Sequence, residues 1–369
     1  MLEARFDPLG DLWLREATQA CHGIEGLAAL AERDGPQHPL AWLDAVGMAI
    51  QHGDTARAIA LARAAAERFP PRAPIRAALA DLVVPAAAEA DGDLLAQLRY
   101  EALLADPTPS RLLALWQALD NTEDRVAWLA QAAEHLSASG PEGDEPQRLS
   151  RGVPGAELTA QPSFRDPASA PAALAALLAG RWDRAAALAQ EADSLGWSRG
   201  TNARSVVFVY TLVALYAADG AEPGPITTEL WSATIAAGAA LRAGMTTTHE
   251  LPNGEQVPQR DRPSPEALNQ GYRTALTQAL AHRPLSAEEA EAWLAWCMET
   301  AAARCEGIVG RQHRGAYPRA ANAVAACYET ACARGQPRAG EQLVQRMRSQ
   351  YPRHSAFQRA LREALGGVT

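Results

Sequence analysis

The 369-residue chain contains no lysine: all 34 of its basic residues are arginine, although lysine ordinarily ranks among the commonest residues. A GC-rich genome accounts for this together with the abundance of Ala, Gly, Pro and Arg. Avoidance of reactive amines, the targets of acetylation and ubiquitin-like conjugation, is the sharper alternative. On either account, Schiff-base catalysis and the lysine of a Walker-type phosphate loop are excluded. Cysteine is scarce as well. Cys21, Cys297, Cys305, Cys327 and Cys332 are too few and too scattered for a disulfide framework, and their odd number leaves one thiol unpaired, so reduced thiols are expected. The longest apolar run, 206–218, falls well short of the roughly 20 residues needed to cross a bilayer. Residues 1–7 lack a basic region leading into an apolar stretch and a small-residue cleavage site, so a soluble, cytoplasmic protein is expected. Aromatic residues make up only 6% of the chain and β-branched ones are sparse, which disfavours a large sheet core. The 48% hydrophobic share is carried largely by Ala and Leu, which favours close packing of helices. The expected fold class is all-α.

What is present is a faint internal period. Counting from Gly53, Ala58 and Ala65 fall at +5 and +12, and Phe69-Pro70 at +16 and +17. Gly335, Gly340, Met347 and Tyr351-Pro352 repeat those offsets, and Gly180, Ala185 and Ala192 match without a terminal aromatic-Pro pair. Glycine between two helices permits the left-handed residue that ends the first. Small residues let the paired helices approach, and proline stops the second. That is the layout of a tetratricopeptide-type hairpin of about 34 residues. In the first helix, where the pattern prefers a small residue, Val46, Ala173 and Tyr328 stand, so the expected fold is a degenerate TPR-like helical-hairpin solenoid.

Punctuation divides the chain. The stretch 137–171 carries nine Gly and Pro residues between Gly140 and Pro167 with little periodicity, and reads as a linker or long loop. Three parts follow: an N-terminal TPR-like region (1–137), the linker (138–171) and a C-terminal helical-repeat domain (172–369). A second irregular stretch, 246–265, reads as an extended loop. Helices are expected from 38–52 to 354–365, including one long helix over 286–313, and no strand is needed.

An ordered series in the C-terminal half carries a resemblance: Gly196-Trp197-Ser198, then Val206-Val207-Phe208, then Ile308 through Tyr317 (IVGRQHRGAY), then Tyr351 through Phe357 (YPRHSAF). It resembles the helical region that follows the zinc finger in bacterial SWIM zinc-finger family proteins, over roughly 170–366 and more weakly in the N-terminal half. The family's zinc finger needs a Cys-x-Cys pair followed by Cys-x-His, and this chain has neither. The resemblance therefore implies the repeat scaffold and not the zinc.

Chemistry-bearing residues concentrate at one place. Arg311, His313, Arg314, Tyr317 and Arg319 set three guanidinium groups, an imidazole and a phenol within nine positions, a group suited to a phosphate or carboxylate. The structural alternative is a helix joint. Ser286 with Glu289 reads as a capping box, Gly315 as the terminator, the cations as complements to the negative helix end, and Pro318 as the start of the next helix. The surrounding charge supports a binding role, because residues 301–369 hold 11 Arg and only Glu306, Glu329, Glu341 and Glu363, a net +7 in a chain of −9. That segment suits an acidic partner or nucleic acid, or the acidic half of this chain or of a neighbouring subunit.

Other candidates are weaker. Cys297 and Cys305, eight apart beside Trp293 and Trp296, form a core stripe rather than a ligand set, Cys327 and Cys332 diverge around their helix, and His22 beside Cys21 has no third ligand. There is no Gly-x-Ser-x-Gly turn, and Cys305 is expected to face inward and be inert. His249-Glu250 offers an acid beside a base in a polar loop, and Trp182 and Trp197 read as packing anchors. The expectation is a non-enzymatic scaffold, without cofactor or metal, that binds an acidic protein or peptide in a concave groove through Arg311, His313, Arg314, Tyr317 and Arg319. The alternative is a nucleic-acid-associated module using the basic C-terminal region. No membrane contact is expected.

Overall fold

The structure, a computed structural model, describes residues 8–34, 38–90, 92–138, 168–196, 201–240 and 263–366. All regular structure among these residues is helical, and no helix among them is long and apolar enough to cross a membrane. The described residues form two compact units, one ending at Asp120 and the other beginning at Asn121. The first contains α1 (Pro8–Asp34), α2 (Leu40–Gln51), α3 (Thr55–Arg68), α4 (Pro74–Ala90), α5 (Gly92–Ala105) and α6 (Pro109–Ala118). Each packs on the next, and α2 also packs on α4, as stacked hairpins do. The second contains α7 (Thr122–Ala138), α8 (Ser169–Leu178), α9 (Trp182–Glu191), α10 (Ala203–Ala218), α11 (Pro225–Ala240), α12 (Pro265–His282), α13 (Ala287–Cys305), α14 (Tyr317–Ala333), α15 (Pro337–Gln350) and α16 (Ser355–Gly366).

The boundary differs from the one expected after residue 137. Helix α7 packs on α8, and Arg184 of α9 donates to Ser137 Oγ at 2.6 Å, so α7 belongs to the second unit. Most of the expected linker, 139–167, lies outside the described residues, and its last positions already belong to α8.

The faint period has a common local structure. Gly53, Gly180 and Gly335 all adopt left-handed φ, 74°, 69° and 71°. After each, the next amide reaches back five residues: Asp54 to the Ala49 carbonyl, Arg181 to Ala176 and Gln336 to Ala331, at 2.8–2.9 Å. This closure satisfies carbonyls that a helix end would leave open. Gly220, between α10 and α11, makes the same closure and had no counterpart among the expected offsets. The small positions at +5, Ala58, Ala185 and Gly340, are buried. A Cβ on Gly340 would stand 2.8 Å from Cδ2 of Tyr328. The large residue at the degenerate position of α14 is thus accommodated by removing a side chain from α15.

The cores differ in material. Around fully buried Trp42, the first unit packs mainly Leu and Ala from α1 to α5. The second runs a chain of rings through five helices: Trp293 on Trp182 (5.3 Å), Trp182 on Tyr210 (6.3 Å), Tyr210 on Trp231 (5.9 Å) and Trp231 on Tyr272 (6.4 Å). Trp182 is the buried anchor expected from sequence. Trp197 lies outside the described residues.

Candidate functional site

The long helix expected over 286–313 is shorter. Ser286 and Glu289 do form a capping box, with Ser286 Oγ accepting from the Glu289 amide and Glu289 Oε2 from the Ser286 amide. The α-helix ends at Cys305, and Glu306–Gly310 continue as one wider π turn. The chain then reverses at Gln312, whose φ of 60° is the only positive one outside glycine among the described residues. Its neighbour's amide closes the turn onto the Ile308 carbonyl at 2.9 Å, the bond pattern made at Gly53. The terminator is therefore Gln312 and not Gly315, and a left-handed non-glycine residue costs roughly 1–2 kcal/mol.

This turn displays the basic residues. Arg311 and Arg314 are exposed, and no ion pair involving either is found among the described residues. His313 is half-buried at the start of a short 3-10 turn, Arg314–Ala316. Arg319 is half-buried in the first turn of α14, which begins without a side-chain cap and without an acid. Burial first, and then neighbouring Arg319, push the guanidinium of Arg304 below its usual value. Sequence reasoning did not place Arg304 here, because it sits a full turn earlier, on α13.

Tyr317 departs from the expected exposed patch. It is buried, and its Oη lies 3.3 Å from Nδ1 of His354. Its ring stands edge-on to those of His354 and Phe357, and Tyr351 makes the same edge-on contacts with both. This knot of four rings fixes the α15–α16 loop against the start of α14. It brings exposed Arg353, which precedes His354, to the same end of the hairpins as Arg311 and Arg314. The sequence signal for that approach was the Tyr351-Pro352 pair.

The remaining chemistry is structural. Cys297, Cys305 and Cys327 are buried and unpaired, and burial pushes the thiol of Cys305 up to about 12, so it stays protonated and unreactive at neutral pH. No group of three or more His, Cys, Asp or Glu side chains suited to a metal ion occurs among the described residues. His249 and Glu250, the acid–base pair, lie outside them.

Two buried polar clusters escaped the sequence. In the second unit, the Glu329 carboxylate on α14 accepts from the Ile226 amide (3.2 Å), the Thr227 amide (2.9 Å) and Thr227 Oγ1 (2.7 Å). It thereby caps α11 from another helix. Gly224, just before α11, has no side chain to do so, and a Cβ there would collide with that carboxylate. Burial first, and then this charge, raise the phenol of Tyr216. In the first unit, Arg15 of α1 bonds Asp11 at 2.8 Å and pairs with fully buried Asp44 of α2, while His38 Nδ1 stands 2.5 Å from Asp11. Burial would lower the guanidinium of Arg15, but the two carboxylates outweigh it and hold it above its usual value. No helix was expected before residue 38, so this cluster was not foreseen.

In comparisons with known proteins, no family model matches the chain, and neither does any curated protein or solved structure.

Proposed function

We propose that this chain is a non-enzymatic helical-repeat scaffold whose stacked, TPR-like hairpins hold an acidic protein or peptide segment in a concave groove. The arginines at the α13–α14 and α15–α16 turns anchor that segment. The observation that carries this reading is the exposure of Arg311, Arg314 and Arg353 at one end of the hairpins, with no ion pair to any of them among the described residues. The turn is held by buried rings, so the guanidinium groups are presented from a rigid base. Arginine offers paired donors matched to carboxylates. His313 and Arg319 flank the anchor, and Tyr317 positions it through His354.

Titration with a fluorescent oligoglutamate peptide tests the reading. Arg311→Ala/Arg314→Ala should weaken binding about tenfold, a change of about 1.4 kcal/mol, without altering the helical circular dichroism spectrum. Equal affinity for the variant and the native chain would overturn it. The acid-poor segment 301–369 favours one second reading, nucleic-acid binding. A duplex oligonucleotide would then bind with a steep logarithmic dependence on salt set by the phosphates contacted, whereas the groove-bound peptide should show a shallow one.

A further inference from the structure

An enclosed guanidinium with nothing to bind is costly, and the second unit holds one. Arg304, in the last turn of α13, is half-buried, and its Nε is sealed from solvent without a hydrogen-bond partner. No ion pair involving Arg304 is found among the described residues. What stands beside it is a second cation. Cys305 Sγ donates to the Ala320 carbonyl at 3.8 Å, which sets the residues just before them, Arg304 and Arg319, next to each other. Arg319 is half-buried too, and its charge reaches the Arg304 guanidinium. A cation at a helix end complements the dipole from the surface, but that role does not call for enclosure beside a like charge. Of the four acids in 301–369, Glu329 is engaged at α11, Glu363 lies 3.9 Å from Arg359, and Glu306 and Glu341 are exposed; none pairs with Arg304. Two irregularities adjoin the pair, the π turn Glu306–Gly310 and left-handed Gln312. Wide helical turns and strained residues collect where a structure holds a ligand.

We propose that Arg304 and Arg319 form an anion subsite that takes a phosphate group, between the end of α13 and the first turn of α14. Two guanidinium groups call for a dianion. A carboxylate leaves one positive charge over, whereas a phosphate monoester carries about −1.5 to −2 near pH 7 and three strong acceptor oxygens. The forked donors of arginine match those oxygens in pairs. The first turn of α14 carries no acid to compete with the group. Once bound, phosphate satisfies the orphaned Nε of Arg304 and gives the two repelling cations a shared counter-ion. Free inorganic phosphate and a phosphorylated side chain supply the same chemistry. The second source rests on the scaffold reading above, in which Arg311, Arg314 and Arg353 hold the surrounding acidic segment; the subsite itself does not.

Thermal melting of the full chain in millimolar inorganic phosphate, against chloride of equal ionic strength, tests the subsite. Phosphate should raise the native melting temperature by about 2 °C or more. Arg304→Met keeps an apolar stem and removes the unpartnered guanidinium. In chloride it should melt at or above the native temperature, and phosphate should no longer raise it. The source is read with two fluorescent oligoglutamate peptides that differ only in phosphoserine for serine at one position. The phosphoserine peptide should bind the native chain about tenfold more tightly, and Arg304→Met should erase that preference while leaving the affinity for the serine peptide as it was. Stabilisation by inorganic phosphate with equal affinity for the two peptides supports the subsite and assigns it to the free ion. Failure of both peptides to bind overturns the scaffold reading and leaves the phosphate result standing. Three results would overturn the subsite: no response to phosphate in either form, a response that survives in Arg304→Met, or melting of that variant below the native chain in chloride, as loss of a structural cation at the helix end would give.

Discussion

In the first unit, a buried ionic contact ties the first part of α1 to α2, Arg15 with Asp44, and Asp11 of α1 joins it. In the second, rings cross from helix to helix, from Trp293 through Trp182, Tyr210 and Trp231 to Tyr272. Both units otherwise pack Ala and Leu. Interfaces of small aliphatic side chains are smooth, and many rolls and slides of one helix on another bury similar area. A directional contact selects one of them. Charge does this by making the wrong arrangement leave an ion unpaired; aromatic rings do it by shape and edge-to-face preference. Beside the ionic contact, Trp13 and Leu14 of α1 stand exposed.

The sharpest way to break this comparison is to remove one directional contact from each unit. Asp44→Ala leaves the Arg15 guanidinium buried and should cost about 3–5 kcal/mol, read by hydrogen exchange as lost protection across α1 and α2. Trp231→Ala should cost a similar amount, about 3–5 kcal/mol, with protection lost across α10 to α12. Substantially smaller losses from either would show that aliphatic packing alone fixes the helices. Glu329→Gln comes next. It keeps the shape but loses the charge that accepts at the start of α11, and urea denaturation should show a loss of about 2 kcal/mol.

Gly340→Ala should cost about 1–3 kcal/mol by overpacking against Tyr328. Adding Tyr328→Ala should recover part of that, a non-additivity that a thermal double-mutant cycle measures. The smallest effect concerns the α13 capping box. The Ser286 amide, followed by Arg283, holds the Glu289 carboxyl below its usual value. A depressed carboxyl contributes stability above its unfolded value and loses it as pH falls through the folded one. Glu289→Ala should therefore cost about 0.5–1 kcal/mol at neutral pH, and the cost should shrink as pH falls through the lowered folded value of Glu289.

The hairpin turns were legible because a left-handed residue has a local signature: Gly53, Gly180 and Gly335 declare themselves. The turn at Gln312 was not, because that conformation is imposed there on a residue that does not favour it, and Gly315 nearby attracted the assignment. Helix α1 was invisible for a related reason. Before Gly23 its buried positions are Asp11 and Arg15, while the large apolar side chains Trp13 and Leu14 stand exposed, the reverse of the pattern that betrays a core-facing helix. Among the candidate residues, Arg311 and Arg314 stand exposed as their composition suggested. Tyr317 is buried against His354 and Phe357, which lie far along the chain, so spacing alone could not reveal it. The same distance hid Glu329 from α11.

That last separation has a temporal consequence. The acceptor for the first amides of α11 lies 102 and 103 residues downstream of them. At about 5–20 residues per second, a ribosome takes roughly 5–20 s to supply it. Until then the beginning of α11 has no anchor of its own. The second unit therefore completes this helix only after α12, α13 and most of α14 have been made, and nascent chains stopped before residue 329 should expose it to proteases.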